Sequence, residues 1–296
     1  MTVAVLDRPV AFGPAAVTAP VKNSAVLVDM TRCIGCKACV VSCKEWNDLS
    51  YAVPEFDPTL STPPLSGTAY TALSFHETVN AEGGVDWTFA KRQCMHCSDP
   101  SCVSVCPVQA LKKTDEGAIV YNSDQCMGCR YCQLACPFSV PKFEWNEVNP
   151  EIRKCDFCAD RLQAGLTPRC AGACPTAAIQ FGERDALLLE ARERMADQPA
   201  KYVNHIYGET ENGGTAWMYL SSLPFEDLGF PEVPAENSVT ASERSMAAVP
   251  GVAAAAAIVF GGLAWFTKRK RTVQSAASRE RAFPAVDQPK EKGSDA

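Results

Sequence analysis

The chain has 296 residues, 47% of them hydrophobic, which suffices for one or two cored domains and excludes a polypeptide disordered throughout. Its net charge of −6 divides unevenly: residues 1–245 carry 20 Lys and Arg against 30 Asp and Glu, whereas residues 246–296 carry eight against four. An acidic body argues against nucleic acid as a partner, and a basic tail behind an apolar stretch points to a membrane.

Residues 1–24 are expected to form a flexible arm. "RPVAFGPAAVTAPVKNS" is Pro/Ala-rich and lacks the basic start, compact apolar core and twin arginine of an export signal. Residues 25–182 are expected to form the cysteine-rich domain, with an insert rich in Pro and Thr at 48–88. Residues 183–245 follow as a helix and an extended arm for partner docking. "RDALLLEARERMADQ" (184–198) reads as an amphipathic helix, and "GGTAWMYLSSLPFEDLGFPEVP" as one strand followed by the arm. From Met246 to Phe266 run 21 residues without a charge, then "KRKR" at 268–271. As a helix this stretch is roughly 30 Å long, the thickness of a bilayer's hydrocarbon core. Residues 246–267 are therefore expected to cross a membrane once, and 268–296 to form a basic, disordered tail. Trp265 sits where an interfacial aromatic would, and the positive-inside rule leaves the tail in the cytoplasm and the cysteine domain on the outer, periplasmic face.

The sixteen cysteines fall into four quartets with none left over. They are Cys33, Cys36, Cys39, Cys43; Cys94, Cys97, Cys102, Cys106; Cys126, Cys129, Cys132, Cys136; and Cys155, Cys158, Cys170, Cys174. An internal repeat accompanies them. "LVDMTRCIGCKACVVSC" and "VYNSDQCMGCRYCQLACP" share an apolar run, a polar turn and the same thiol spacing, which predicts strand, loop and short helix in each. Asp115-Glu116-Gly117 supplies a turn before "AIVY" returns as a strand. Gly35 and Gly128 suit a backbone wrapped closely around something.

Three thiols at Cys-x2-Cys-x2-Cys reach three corners of one iron–sulfur cubane from a single loop, while the fourth, three residues on, commonly ligates a neighbouring cluster. Zinc favours two separated Cys-x2-Cys pairs, which the tight triplets at 33–39 and 126–132 do not resemble. Disulfides suit an extracytoplasmic domain, but regular quartets are not a bridge framework. A Rieske centre needs two histidines; only His76, His96 and His205 are present, and the thiol set is already complete. The expected cofactors are four [4Fe–4S] clusters, with His96 beside the ligands rather than among them. Lys37, Arg92, Arg130, Lys154 and Arg169 lie next to thiols in sequence, where cations would raise cluster potentials.

"CIGCKACVVSCKEWND", "KRQCMHCSDPSCVSVCPVQALKK", "CRYCQLACPFSVPKF" and "GGTAWMYLSSLPFEDLGFP" resemble the four-cluster iron–sulfur subunits of respiratory oxidoreductases, over roughly Ala25 to Lys270. The first stretch is similar to the formate dehydrogenase beta subunit, the later ones to the ferredoxin-like subunit of the hydrogenase-2 type. The resemblance implies an α+β fold of two ferredoxin-like halves in tandem pseudo-repeat, with insert loops and one C-terminal transmembrane helix. It implies four ligand sets: Cys33, Cys36, Cys39 and Cys174; Cys155, Cys158, Cys170 and Cys43; Cys94, Cys97, Cys102 and Cys136; and Cys126, Cys129, Cys132 and Cys106. It further implies export folded beside a signal-bearing catalytic subunit.

No Walker or Rossmann glycine loop and no radical-chemistry cysteine triplet is present, so no catalytic residue is expected in this chain. The function expected is electron transfer between a catalytic large subunit, a formate dehydrogenase or an uptake nickel–iron hydrogenase, and an integral membrane subunit carrying haem or quinone. Polysulfide, nitrite and dimethyl-sulfoxide reductases are the alternatives within this class. A zinc-binding structural scaffold is the alternative outside it.

Overall fold

A computed structural model describes residues 22–51, 64–79, 82–143, 145, 151–237 and 239–282. The expected N-terminal arm lies almost wholly outside them. The chain divides into two units, residues 1–240 and 241–296.

The first unit is built around β1 (Ser24–Asp29), whose six residues are all buried because the strand is paired on both edges. Its apolar run "AVLV" is what a strand covered on both faces requires. β1 leads through a 3-10 turn (Met30–Arg32) into α1 (Ala38–Trp46). The insert then folds as a hairpin of β2 (Ala72–Val79) and β3 (Val85–Arg92), with Leu73 opposite Lys91. Next come α2 (Ser101–Ser104), the hairpin β4 (Leu111–Lys113) and β5 (Ile119–Tyr121), and α3 (Tyr131–Ala135). A short pair, β6 (Lys142–Phe143) and β7 (Ile152–Arg153), precedes α4 (Ala159–Gln163) and α5 (Arg169–Gly172).

β8 (Ile179–Glu183) closes antiparallel on β1, and Glu183 caps α6 (Arg184–Asp197) by accepting from the Asp185 and Ala186 amides. β9 (Trp217–Leu220) adds parallel to the other edge of β1, giving the order β8-β1-β9. Trp217, Met218, Tyr219 and Leu220 are fully buried there, in one core with Leu27, Phe157 and Leu228.

The repeat seen in the sequence is a repeat of backbone. Asp29 N–H donates to Ala178 O at 2.8 Å where β1 meets β8, and Asn122 N–H donates to Ala110 O at 2.8 Å where β5 meets β4. In both halves a strand feeds a cysteine triplet, and its antiparallel partner follows a Cys-Pro pair from the other quartet. α1 packs on α5 in one half, and α2 on α3 in the other.

The second unit is α7 (Thr240–Ala282), the one helix among the described residues long and apolar enough to span a membrane. It continues through the basic segment, so residues 268–282 are helical where disorder was expected. "KRKRTVQSAASRERA" contains neither Gly nor Pro, and adding good helix formers to an existing helix is favourable. Residues 283–296 lie outside the described residues.

Candidate metal centres

Each quartet is wrapped by a left-handed residue two places after its first cysteine. These are Gly35 (φ 69°), His96 (φ 47°), Gly128 (φ 72°) and Phe157 (φ 65°). Lys37 and Arg130 repeat the conformation at the N-termini of α1 and α3. A left-handed residue turns consecutive amides toward the enclosed side of a loop. Gly128 N–H points at Cys126 Sγ (3.4 Å) and Phe157 N–H at Cys155 Sγ (3.4 Å). The Cys-Pro ends form a second recurrent turn. Gln109, Ser139 and Ala177, each three residues after its cysteine, have φ near +50° and donate back to the Cys106, Cys136 and Cys174 carbonyls. Cys43 lacks the proline, and α1 runs on past it to Trp46.

The sulfurs fall into four neighbourhoods that cross the sequence quartets. Cys33, Cys36, Cys39 and Cys174 line one cavity (set I). Cys43, Cys155, Cys158 and Cys170 line a second (set II). Cys97 and Cys102 each lie within electrostatic reach of Cys94 and Cys136 (set III), and Cys132 within reach of Cys106, Cys126 and Cys129 (set IV). The sets follow one another in the order I, II, III, IV, each within electrostatic reach of the next: Cys39 of Cys170, Cys155 of Cys94, and Cys102 of Cys132. Only Cys36 and Cys129, in the two end sets, are exposed.

As free thiols these groups resist ionisation. Burial, reinforced by neighbouring cysteines, pushes Cys43 and Cys102 up to about 12 and Cys132 to about 11. Burial likewise raises Cys97, Cys155 and Cys158. Converging buried thiols become thiolates only when a positively charged core sits among them.

Two models of the 4Fe-4S dicluster domain match the chain, at residues 32–110 and 85–184. It is 37% identical over 239 residues to the hydrogenase-2 operon protein HybA of Escherichia coli O157:H7, covering 70% of this chain and 73% of that protein. It is 38% identical over 220 residues to the formate dehydrogenase-O iron-sulfur subunit of Escherichia coli K12, covering 71% of each. The formate dehydrogenase iron-sulfur subunit of Haemophilus influenzae is 36% identical over 255 residues, covering 81% of this chain and 77% of that protein. The chain belongs to the family of formate dehydrogenase and hydrogenase iron–sulfur subunits.

Sixteen cysteines in two dicluster domains fit four [4Fe–4S] clusters in this iron–sulfur subunit. The local chemistry fits as well. Ala110 N–H donates to Cys106 Sγ (3.2 Å) and Asn47 Nδ2 to Cys43 Sγ (3.6 Å), the contacts that stabilise electron-rich sulfur. Trp217 lines the cavity of set II, and its buried indole N–H has no partner among the described residues. Of the cations adjacent to thiols in sequence, Lys154 is buried, donating to the Ile119 and Cys155 carbonyls. Arg130 instead stacks on Trp145 at 4.1 Å, and Arg169 pairs with Glu45 at 3.5 Å, partly in solvent. His96 is fully buried in this iron–sulfur subunit, with Nδ1 accepting from Ile119 N–H at 2.9 Å. Burial and the nearby Lys154 hold its pKa well below the usual histidine range, so the ring is neutral.

Three supporting features were not read from the sequence. Asp29, fully buried at the end of β1, accepts from Thr31 N–H and the Tyr202 hydroxyl and pairs with Arg194 (3.1 Å) and Arg32 (3.3 Å). Residues on both sides of β9 brace the loop of Cys97 and Cys102: Asn212, before the strand, and Asn237, in the arm after it, both donate to Asp99 O. The β2–β3 hairpin walls set I with Leu73, Phe89 and Lys91. Alternation in "VDWTFAKR" is the signal that identifies β3 as a strand.

Proposed function

We propose that this chain is a non-catalytic electron relay between a catalytic large subunit, oxidising formate or hydrogen, and an integral membrane subunit carrying haem or quinone. Each of the four sulfur sets holds one [4Fe–4S] cluster, the sets form two ferredoxin-like halves, and the relay runs I, II, III, IV. A bound cubane supplies a one-electron carrier. The chain supplies sixteen thiolates, amide donors to sulfur, exclusion of water and a fixed order of sites. The observation that carries this reading is the succession of cysteine sets, each within electrostatic reach of the next, with Cys36 exposed at one end and Cys129 at the other.

α7 anchors the domain on the outer face of the cytoplasmic membrane, with residues 246–267 in the bilayer and the basic segment from Lys268 on the cytoplasmic side. The large uncharged stretch and the cationic segment after it support that orientation. The chain is exported folded beside a signal-bearing partner.

Two experiments test the reading. Anaerobically purified protein contains about four iron and four sulfide per cluster for four clusters; colourless, zinc-loaded protein refutes it. Cys136→Ala abolishes the spectroscopic signature of the centre held by Cys94, Cys97 and Cys102 while the centre of Cys126, Cys129 and Cys132 persists; the reverse result breaks the assignment. The co-purifying large subunit, a molybdenum or tungsten pterin protein or a nickel–iron protein, decides between the two substrates.

A further inference from the structure

Lys91 is a buried cation that forms no ion pair with a carboxylate among the described residues; Asp156 lines the set II cavity with it but is not paired to it. Its side chain lies on β3, 3% exposed, with Nζ donating to Gln93 Oε1 at 2.7 Å and standing 4.3 Å from the centre of the Trp217 ring. Gln93 is fixed in turn by a hydrogen bond to the hydroxyl of fully buried Tyr219. Among the described residues no Asp or Glu is paired with the ammonium. An unpaired ammonium removed from water is strongly unfavourable, so a counter-charge belongs nearby.

Lys91 lines both of the cavities ringed by cysteines. On one side stand Cys33, Cys36, Cys39 and Cys174, and on the other Cys43, Cys155, Cys158 and Cys170. Its charge favours the thiolate at Cys39 and Cys43 in particular, one from each set. Gln93 and Trp217 prevent it from leaning out of this place.

We propose that Lys91 is a positioning residue that couples sets I and II electrostatically, raising the reduction potentials of the groups bound in both through one shared buried charge. The inference rests on the ligand assignment proposed above. No bond forms or breaks and no proton moves; Lys91 contributes only the field felt by the single electron exchanged between neighbouring carriers. A cation favours the more negative, reduced state, and burial keeps its field from being screened. Because one charge serves both sites, it lifts them together against sets III and IV and leaves the difference between them nearly unchanged. Lys37, exposed in the loop of set I, is the natural contrast, since solvent screens it.

The test is an anaerobic redox titration of the full chain, followed by electron paramagnetic resonance, with iron and sulfide counted in every sample. Cys36→Ser and Cys158→Ser mark which signals belong to sets I and II. In Lys91→Met two of the four midpoint potentials fall together, those of sets I and II; Lys91→Arg keeps both near wild type, and Lys37→Met moves neither appreciably. Loss of the clusters of sets I and II from Lys91→Met with full content in Lys91→Arg also supports the proposal, since charge rather than shape is then what the pair needs. Four full clusters with unmoved potentials, a fall at only one site, an equal fall at all four, or the same fall in Lys91→Arg overturns it. Fewer than four clusters in the wild type overturns the ligand assignment instead, and is read from the iron count before any potential is compared.

Discussion

The rings of His96 and Phe157 stack with centroids 4.8 Å apart and 22° between their planes. The two residues hold the same place in different quartets, two after Cys94 and two after Cys155, and both adopt the left-handed conformation that Gly35 and Gly128 supply in the other loops. The stack therefore joins the loops of sets II and III back to back, where Cys94 and Cys155 lie within electrostatic reach of each other. Left-handed φ is unfavourable for a residue with a Cβ, and the buried aromatic contact is what holds these two there.

Phe157→Ala removes a fully buried ring and is expected to cost about 3–5 kcal/mol. Anaerobic denaturant unfolding measures the loss, and iron should leave the two central sites before the ends. His96→Asn tolerates the left-handed backbone and presents Oδ1 where Nδ1 accepted from Ile119 N–H, but loses the stack on Phe157, which should cost about 0.5–1.5 kcal/mol.

Gly35→Ala and Gly128→Ala should differ although their loops have the same spacing. A Cβ at Gly35 would sit 2.7 Å from the Phe89 ring, whereas one at Gly128 meets nothing within 4 Å. Gly128→Ala should cost only about 1–2 kcal/mol of backbone strain, with iron content close to normal. Gly35→Ala adds a clash with the wall of set I and should be purified short of one cluster.

Asp29→Ala takes from Arg194, itself mostly buried, one of its two carboxylates, Glu190 remaining, and removes the cap of the turn entering the first quartet. Leaving a buried charge wholly unpaired costs roughly 3–5 kcal/mol, and the retained Glu190 pair places the expected loss at or below the lower end of that range. Asp29→Asn keeps an acceptor for Thr31 and Tyr202 and should recover part of this. Urea midpoints of the three proteins, compared anaerobically, give the order wild type, Asn, Ala.

Iron removal should loosen the cysteine domain. Sets I and II tie α1 to residues 155–174, and set III ties residues 94–102 to Cys136, so bound clusters would act as cross-links between distant segments. Chelation under anaerobic conditions should expose the 94–174 region to limited proteolysis and weaken near-ultraviolet circular dichroism. Unchanged proteolysis after full iron loss would show that packing alone holds the domain.

Much of the cofactor machinery was legible in the residues because spacing is a property of sequence. The quartets, the repeated strand-loop-helix units, the 184–198 helix and the long apolar stretch all follow from local pattern. What escaped detection depends on distant partners. His96 and Phe157 give no hint of left-handed backbone until each is seen to support the other. Asp29 reads as an ordinary polar residue after a strand until Arg194 and Tyr202 reach it. Lys91 looks like one more surface charge beside Arg92, and its burial follows from Trp217 and Gln93 closing over it. The helix past Lys268 escaped because charge density suggested disorder, whereas a continuous backbone needs only the absence of a breaker.

The exposure of Cys36 and Cys129 alone among the sixteen also bears on how the protein ages in air. Dioxygen and peroxide meet the outermost sulfurs first, since accessible thiolates oxidise most readily. Damage should thus advance inward from both extremities, leaving a sample still brown from its middle centres yet unable to accept or deliver charge.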